Sequence, residues 1–395
     1  MSNAPQPQST AEQSHRRRTP GSNERQLAAL LERADIQLNG SRPFDLQLRR
    51  PRAARRILAQ GSLGLGESYV DGDWDAEQLD TLIYRLLQAR LQDAVHPPGL
   101  LLAMVRARLL NLQSQARAWI VGRAHYDLGN DFFAAMLDES MAYSCGYWAD
   151  AETLADAQTA KLDLVCRKLG LKPGMRLLDI GCGWGSLLVH AARHYGTTCV
   201  GLTISQAQAE LARKRCEGLP VEIRLDDYRR LAPEEGSQRF DRVASIGMFE
   251  HVGSKNYPAF FEIARNALKP DGLMLLHTIG KTQHREVTDP WIDRYIFPNG
   301  QLPVLGQIAD AADPRFVIED VHNFGADYDR TLMAWHDRFR RSWPKFAARY
   351  GERFQRMWRY YLLSCAGAFR ARNVQLWQLV LAPGGMPGGY RRPRV

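Results

Sequence analysis

Leu177-Leu178-Asp179-Ile180-Gly181-Cys182-Gly183-Trp184-Gly185 decides how this chain of 395 residues is read. An apolar run ends in an acid and passes directly into glycines spaced G-x-G-x-G. Glycine admits backbone conformations closed to other residues and lets a ligand lie against bare peptide where a strand enters a helix. The spacing departs from the dinucleotide fingerprint G-x-G-x-x-G, because Ser186 stands where its third glycine belongs. The stretch points to a nucleotide-type cofactor site, with a glycine turn made only for packing as the competing reading.

Outward from this motif, apolar strand patterns alternate with helical ones. Strands are expected at 175–180, 198–202, 221–225, 242–246 and 273–277, and helices at 186–194, 205–216 and 257–268. Such alternation implies an α/β fold, a mostly parallel sheet with helices on both faces. Ligands of these sheets bind beyond the carboxyl ends of the strands. Asp179, Thr203, Asp227, Glu250 and His277 all fall at or near those ends.

Residues 1–24 are low-complexity and expected to be disordered. Residues 25–98 read as a small α+β domain. Leu27, Leu30 and Leu31 have helical spacing, 44–48 alternates like a short strand, and 79–91 reads as a helix. Between them Arg49, Arg50, Arg52, Arg55 and Arg56 crowd together, and Gly61-Ser62-Leu63-Gly64-Leu65-Gly66 reads as a flexible turn. His96-Pro97-Pro98-Gly99 breaks this domain from a long helix, Leu100 to about Ile120, opening a catalytic domain over 99–382. An aromatic-rich helical stretch covers 331–363, and the Gly-, Pro- and Arg-rich tail 383–395 is expected to be flexible.

The chain carries 52 Lys and Arg against 43 Asp and Glu, a formal net charge of +9. That balance favours a polyanion, either nucleic acid or an anionic membrane surface, or simply a solvated basic face. The six cysteines form no C-x-x-C pair, which argues against a zinc ribbon or thioredoxin-type motif. The polar N-terminus has no secretory signal, so reduced thiols and a cytoplasmic location are expected. No stretch approaches the apolar length of a membrane span.

Two aromatic-rich stretches, 125–133 and 141–148, suit a hollow for an adenine ring, a sulfonium or a lipid chain, or ordinary core packing. The second strand ends without the acid that often holds ribose hydroxyls, which counts against NAD. Thr203 or Ser205 there also suits a helix N-cap. Glu250 and His251 stand beside a glycine turn at the mouth of an apolar sheet, a place for an acid, base or anchor. No H-x-H or H-E-x-x-H spacing supports a metal at His251 and His277.

The acid two residues before the tight glycine turn resembles the S-adenosylmethionine (SAM) site of class I methyltransferases. More specifically, the chain resembles the bacterial cyclopropane-fatty-acyl-phospholipid synthases and the related mycolic acid cyclopropane synthases. The likeness runs from about Leu27 to Leu379. It rests on 61–69, 125–131, 178–185, 247–253, 295–300, 323–335 and 365–372, all in order. Gly146 is a departure, where the bacterial enzymes usually carry alanine.

The resemblance implies transfer of the SAM methyl carbon as a methylene across a cis double bond of a membrane phospholipid. Alkene electrons attack the sulfonium methyl, and a base then removes a proton so that the ring closes. Bicarbonate is the implied base, with Cys145, Glu250, His277, the Ile279 backbone and Tyr328 as its cradle and His251 in support. The implied SAM residues are Tyr143, Ser144, Asp179, Gly181, Gly183, Thr203, Ile204, Gln208 and Tyr228. Cys365 matches a cysteine described in that family as an active-site residue. The chemistry needs no covalent intermediate, so a buried structural thiol is the simpler reading. A homodimer, peripheral at the inner face of the cytoplasmic membrane, is also implied, with the arginines at 49–56 as candidate contacts to anionic lipid.

Three alternatives compete with this reading. Methyl-branching without ring closure diverges only at the cationic intermediate. A nucleic-acid methyltransferase would carry Asn-Pro-Pro-Tyr or Asp-Pro-Pro-Tyr after the fourth strand, where this chain has Gly247-Met248-Phe249-Glu250-His251. A non-catalytic lipid-binding paralogue would show a broken cradle, whereas every matched position here is filled.

Overall fold

The computed structural model describes residues 20–91, 128–231, 239–282 and 288–394. The long helix expected at 100–120, and His125, Tyr126 and Asp127, lie outside the described residues. The chain begins with α1 (Ser22–Glu32), β1 (Gln47–Leu48), α2 (Arg52–Gln60), α3 (Ser62–Val70), β2 (Trp74–Asp75) and α4 (Leu79–Gln88). Next come α5 (Asn130–Met136), α6 (Leu154–Lys168), β3 (Arg176–Ile180), α7 (Ser186–Tyr195), β4 (Thr198–Thr203), α8 (Gln206–Arg215) and β5 (Val221–Leu225). After them follow β6 (Phe240–Ile246), α9 (Tyr257–Ala267), β7 (Leu268–Lys281), α10 (Pro290–Tyr295) and α11 (Leu305–Ala312). The chain closes with β8 (Val317–Asn323), α12 (Ala326–Ser342), α13 (Ala347–Arg370, broken at Gly351) and β9 (Val374–Ala382).

Seven strands form one sheet in the order β5-β4-β3-β6-β7-β9-β8. The five expected strands are present and parallel; β3, β4, β6 and β7 are largely buried apolar runs, and α7, α8 and α9 make the crossovers from β3 to β4, β4 to β5 and β6 to β7. The chain winds from β3 outward to β5 and then returns to the other side of β3. The switch point, and hence the crevice for a ligand, therefore lies at the end of β3. Two further strands, β8 and β9, add antiparallel beyond β7. β7 runs on to Lys281, so His277 sits inside the strand rather than at its end, paired with Gln378.

Each face of the sheet carries its own apolar core. A third core joins Leu27, Leu31 and Ile57 from the N-terminal helices to Phe132, Trp335 and Trp358 from α5, α12 and α13. The N-terminal segment is thereby packed directly onto the helices beside the site. Among the described residues no helix is long and apolar enough to cross a membrane.

Several local expectations are corrected. α1 begins at Ser22, inside the stretch expected to be disordered. The glycine-rich stretch 61–66 is not a flexible turn but the start of α3. Its glycines serve close approach: a Cβ on Gly64 would collide with the Arg56 carbonyl, and one on Gly66 with the Trp291 ring. The arginine cluster is tied down from within while Arg49, Arg50 and Arg52 keep half or more of their side chains exposed. Buried Asp73 takes Arg50 at 3.3 Å, Arg52 at 2.8 Å and Arg56 at 3.3 Å, while Arg49 pairs with Asp75 at 3.1 Å. The tail beyond Pro383 is held down rather than loose. Arg392 pairs with Asp320 at 2.9 Å, and the Tyr390 hydroxyl donates to the Lys168 carbonyl at 3.0 Å.

Candidate functional site

The end of β3 opens on a cavity of about 200 Å³. Asp179 closes the strand, and Gly181, Gly183 and Gly185 follow with φ of 90°, 55° and 81°. These left-handed values favour glycine. A Cβ on Gly181 would also lie 2.7 Å from Met248, so the β3 and β6 turns approach each other only because that carbon is missing. β4 delivers Thr203 and Ile204, and α8 delivers Gln208, whose Oε1 accepts from the Thr203 hydroxyl at 3.0 Å. Ser205 caps α8 by accepting from the Gln208 N–H at 3.4 Å. Tyr228 follows β5, and Tyr143 and Ser144 cover the cavity from the segment before α6. All nine residues expected at the cofactor line this one cavity.

The electrostatics of this cavity are set by burial. The Asp179 carboxyl is pushed up to about 7 by desolvation, offset in part by the nearby Lys161 ammonium. Its Oδ1 has no hydrogen-bond partner among the described residues. Lys161, pulled down to about 8 by its own burial, donates to the Ser144 hydroxyl at 3.0 Å. Sequence reasoning missed Lys161, because a lone lysine in an amphipathic helix reads as a solvated face.

A second cavity, about 1040 Å³, adjoins the first: Tyr143, Gly247 and His251 line both. Its walls include Leu27, Leu31, Ile57 and Leu87 from the N-terminal helices, and its inner end holds Glu250, Ile279, Tyr328 and Cys365. Glu250 lies in a short 3₁₀ turn after β6. Burial pushes it up to about 7, against the Ile279 N–H, which donates to its Oε1 at 2.7 Å, and the Thr278 hydroxyl. Ile279 thus orients the carboxylate. The other oxygen, Oε2, is buried and unpartnered among the described residues. Burial holds His251 down at about 4, a neutral ring.

Cys145 and His277 reach neither cavity wall and sit behind the inner end, both fully buried. The Cys145 thiol donates to the Gly146 carbonyl at 3.1 Å, and burial raises it well above the ordinary thiol range. His277 Nδ1 faces the Gln378 amide nitrogen at 3.2 Å, and its Nε2 has no partner among the described residues. Tyr328, stacked on Phe369 with ring centroids 4.5 Å apart, lies within electrostatic reach of Cys145, Glu250, Tyr143 and Cys365. The structure therefore brings the seven expected catalytic positions to one end of the larger cavity, five on its wall and two behind it. Gln378 was missed for want of any sequence signal, since its partner lies 101 residues away.

Among the described residues no group of His, Cys, Asp or Glu is arranged to hold a metal ion. A sheet of this order, with an acid and a glycine turn at its switch point, defines a class I SAM-dependent methyltransferase fold. The family model described as mycolic acid cyclopropane synthetase matches residues 113–379, and the chain belongs to that family. It is 55% identical to the cyclopropane-fatty-acyl-phospholipid synthase of Escherichia coli K12, over 90% of this chain and 92% of that one. Among solved structures, the cyclopropane synthase MmaA2 from Mycobacterium tuberculosis superposes with a TM-score of 0.63 at 32% identity, covering 69% of this chain and 100% of that one. The mycolic acid cyclopropane synthase CmaA1, complexed with SAH and CTAB, gives 0.62 at 34% identity, covering 67% and 97%.

Proposed function

We propose that this protein transfers a methylene from SAM to the cis double bond of an unsaturated acyl chain in a membrane phospholipid, closing a cyclopropane ring. The observation that carries this reading is the meeting of two unlike cavities at Tyr143, Gly247 and His251. One is small and built on the glycine turn, and the other is wide, largely apolar and ends at Glu250. The close identity to a named cyclopropane-fatty-acyl-phospholipid synthase supports it.

In this reading the nine residues of the smaller cavity hold SAM. Gly181 and Gly183 offer bare backbone, Asp179 supplies a carboxylate, and Tyr143 stands between cofactor and acyl chain. The apolar walls exclude water from the reacting carbons, where a short-lived cation would otherwise be trapped by solvent. Buried Glu250 Oε2 and His277 Nε2, each without a partner among the described residues, fit bicarbonate, which has one hydroxyl to give and oxygens to be met. Glu250 would accept that hydroxyl. His277 and Tyr328 would donate to the oxygens, Ile279 would hold Glu250 in place, and Cys145 would back the cradle with His251 beside it. Bicarbonate, when bound, supplies a base for the proton lost from the new methyl group. Cys365 contributes wall rather than chemistry.

The N-terminal helices contribute the far wall of the apolar cavity. We read residues 25–98 as the part that meets lipid and a second copy of the chain at the inner face of the membrane. Arg49, Arg50 and Arg52, held by Asp73 and Asp75 yet half or more exposed, are the candidate contacts to anionic lipid.

The decisive experiment is mass spectrometry of phospholipid acyl chains after expression in a host lacking the modification. A gain of one CH₂ with loss of the alkene and no branched methyl is expected. A branched methyl would mean the methyl-branching reaction, and unaltered chains would overturn the proposal.

A further inference from the structure

The two helices that flank the outer part of the larger cavity end side by side. The Gln88 amide, at the end of α4, donates at 3.1 Å to the carbonyl of Ala371, the residue after α13. Two positions beyond each helix stand Arg90 and Arg372, with φ of 53° and 57°. This left-handed position after a helix favours glycine, because a side chain crowds the backbone there. α6 obeys the rule with Gly170 at φ 56°. Both α4 and α13 instead place an arginine there.

The helix dipole does not explain the choice. Each helix already has a cation in its last turn, Arg85 in α4 and Arg370 in α13. What Arg90 and Arg372 share is position: both are exposed and both line the larger cavity. Neither is neutralised by a carboxylate among the described residues. Arg372 donates to the amide oxygens of Gln375 at 2.6 Å and Asn323 at 3.3 Å. The carboxylates lining the cavity are engaged elsewhere, Asp289 as the cap of α10 and Glu250 on the Ile279 N–H.

We infer that Arg90 and Arg372 form a two-guanidinium rim that binds the phosphodiester of the phospholipid whose acyl chain fills the cavity. The inference rests on the reading of the cavity given above and adds the headgroup to it. Guanidinium forks match phosphate oxygens, and an amphiphile with its tail inside must leave its charge at the mouth.

The test uses Arg90→Gly/Arg372→Gly, which removes both charges while giving each backbone position the residue it favours, so the fold is kept. Arg90→Lys/Arg372→Lys restores the charge. Binding is measured calorimetrically with dioleoylphosphatidylglycerol, dioleoylglycerol or oleate in neutral detergent micelles. The glycine pair is expected to weaken phosphatidylglycerol binding about tenfold, with dioleoylglycerol unchanged and the lysine pair recovering most of the loss. Equal weakening of both lipids, no weakening, or weakening of oleate alone would overturn the rim. Turnover on the same micelles separates the two readings. Wild-type protein that binds phosphatidylglycerol through these arginines but adds no methylene overturns the proposed reaction and leaves the rim standing.

Discussion

The side-chain amide nitrogen of Gln378 on β9 stands 3.2 Å from Nδ1 of His277, its register partner on β7. Burial, with Lys161 and Lys168 nearby, holds His277 well below its ordinary range, so the ring is neutral. A neutral ring whose Nδ1 accepts from Gln378 carries its proton on Nε2, which makes Nε2 a donor toward an anion. In the proposed reaction Gln378 is a positioning residue. Gln378→Leu frees the tautomer and is expected to lower kcat by about tenfold or more while leaving SAM affinity unchanged. The checks are steady-state kinetics and SAM calorimetry; an unaltered kcat and pH profile would remove the role.

In the proposed reaction Glu250 would tie activity to a stability cost. Its carboxyl is raised from 4.5 to about 7 by burial, so between those values the folded protein keeps a proton that the unfolded chain has lost. Stability from this group is therefore complete below 4.5 and declines as pH rises through about 7. Glu250→Gln keeps an acceptor for the Ile279 N–H but does not titrate. It is expected to abolish turnover, retain SAM binding and unfold at a higher temperature than wild type at about pH 8, with no gain at about pH 5, by roughly 1–3 kcal/mol. Thermal melts at the two pH values check the sign, and normal turnover would refute the anchor role.

Cys365 lines the larger cavity, but burial pushes its thiol up to about 12, leaving no nucleophilic thiolate at neutral pH. Cys365→Ala is expected to turn over like wild type. Cys365→Phe, which fills the cavity beside Tyr328, is expected to raise KM for long acyl chains. Comparing the two variants in one assay distinguishes wall from nucleophile, and loss of kcat in the alanine variant would favour chemistry.

Gly64 packs α3 against the end of α2, where a Cβ would meet the Arg56 carbonyl. Gly64→Ala is expected to destabilise the protein by about 1–3 kcal/mol through forced separation of the helices. Gly306, in α11 with open space around it, is the control. Gly306→Ala is expected to be neutral or to stabilise by about 0.5–1 kcal/mol, since alanine is the better helix former. A thermal melt of each variant suffices.

The glycine turn and the five parallel strands were legible because each depends on short-range pattern. A buried parallel strand is an apolar run, and its ligand groups follow within a few residues. The stretch 61–66 was misread for the same reason. Glycine signals a turn locally, and only the neighbouring Arg56 carbonyl and Trp291 ring show that these glycines keep two helices close. The arginines at 49–56 read only as candidate lipid contacts, because their partners Asp71, Asp73 and Asp75 gain meaning only when the chain folds back. Lys161, Gln378 and the arginine pair had no local signal at all.

By itself the sequence determined the sheet, its switch point and the chemical kinds of residue gathered there, because backbone pattern and glycine freedom act over a few residues. Tertiary structure alone decided that an apolar cavity reaches Glu250, that β9 supplies the partner of His277, and which cations remain unpaired by a carboxylate. Those properties are set by burial and by contacts between residues from about fifteen to more than a hundred positions apart, and desolvation is a property of a place in space rather than of any stretch of chain.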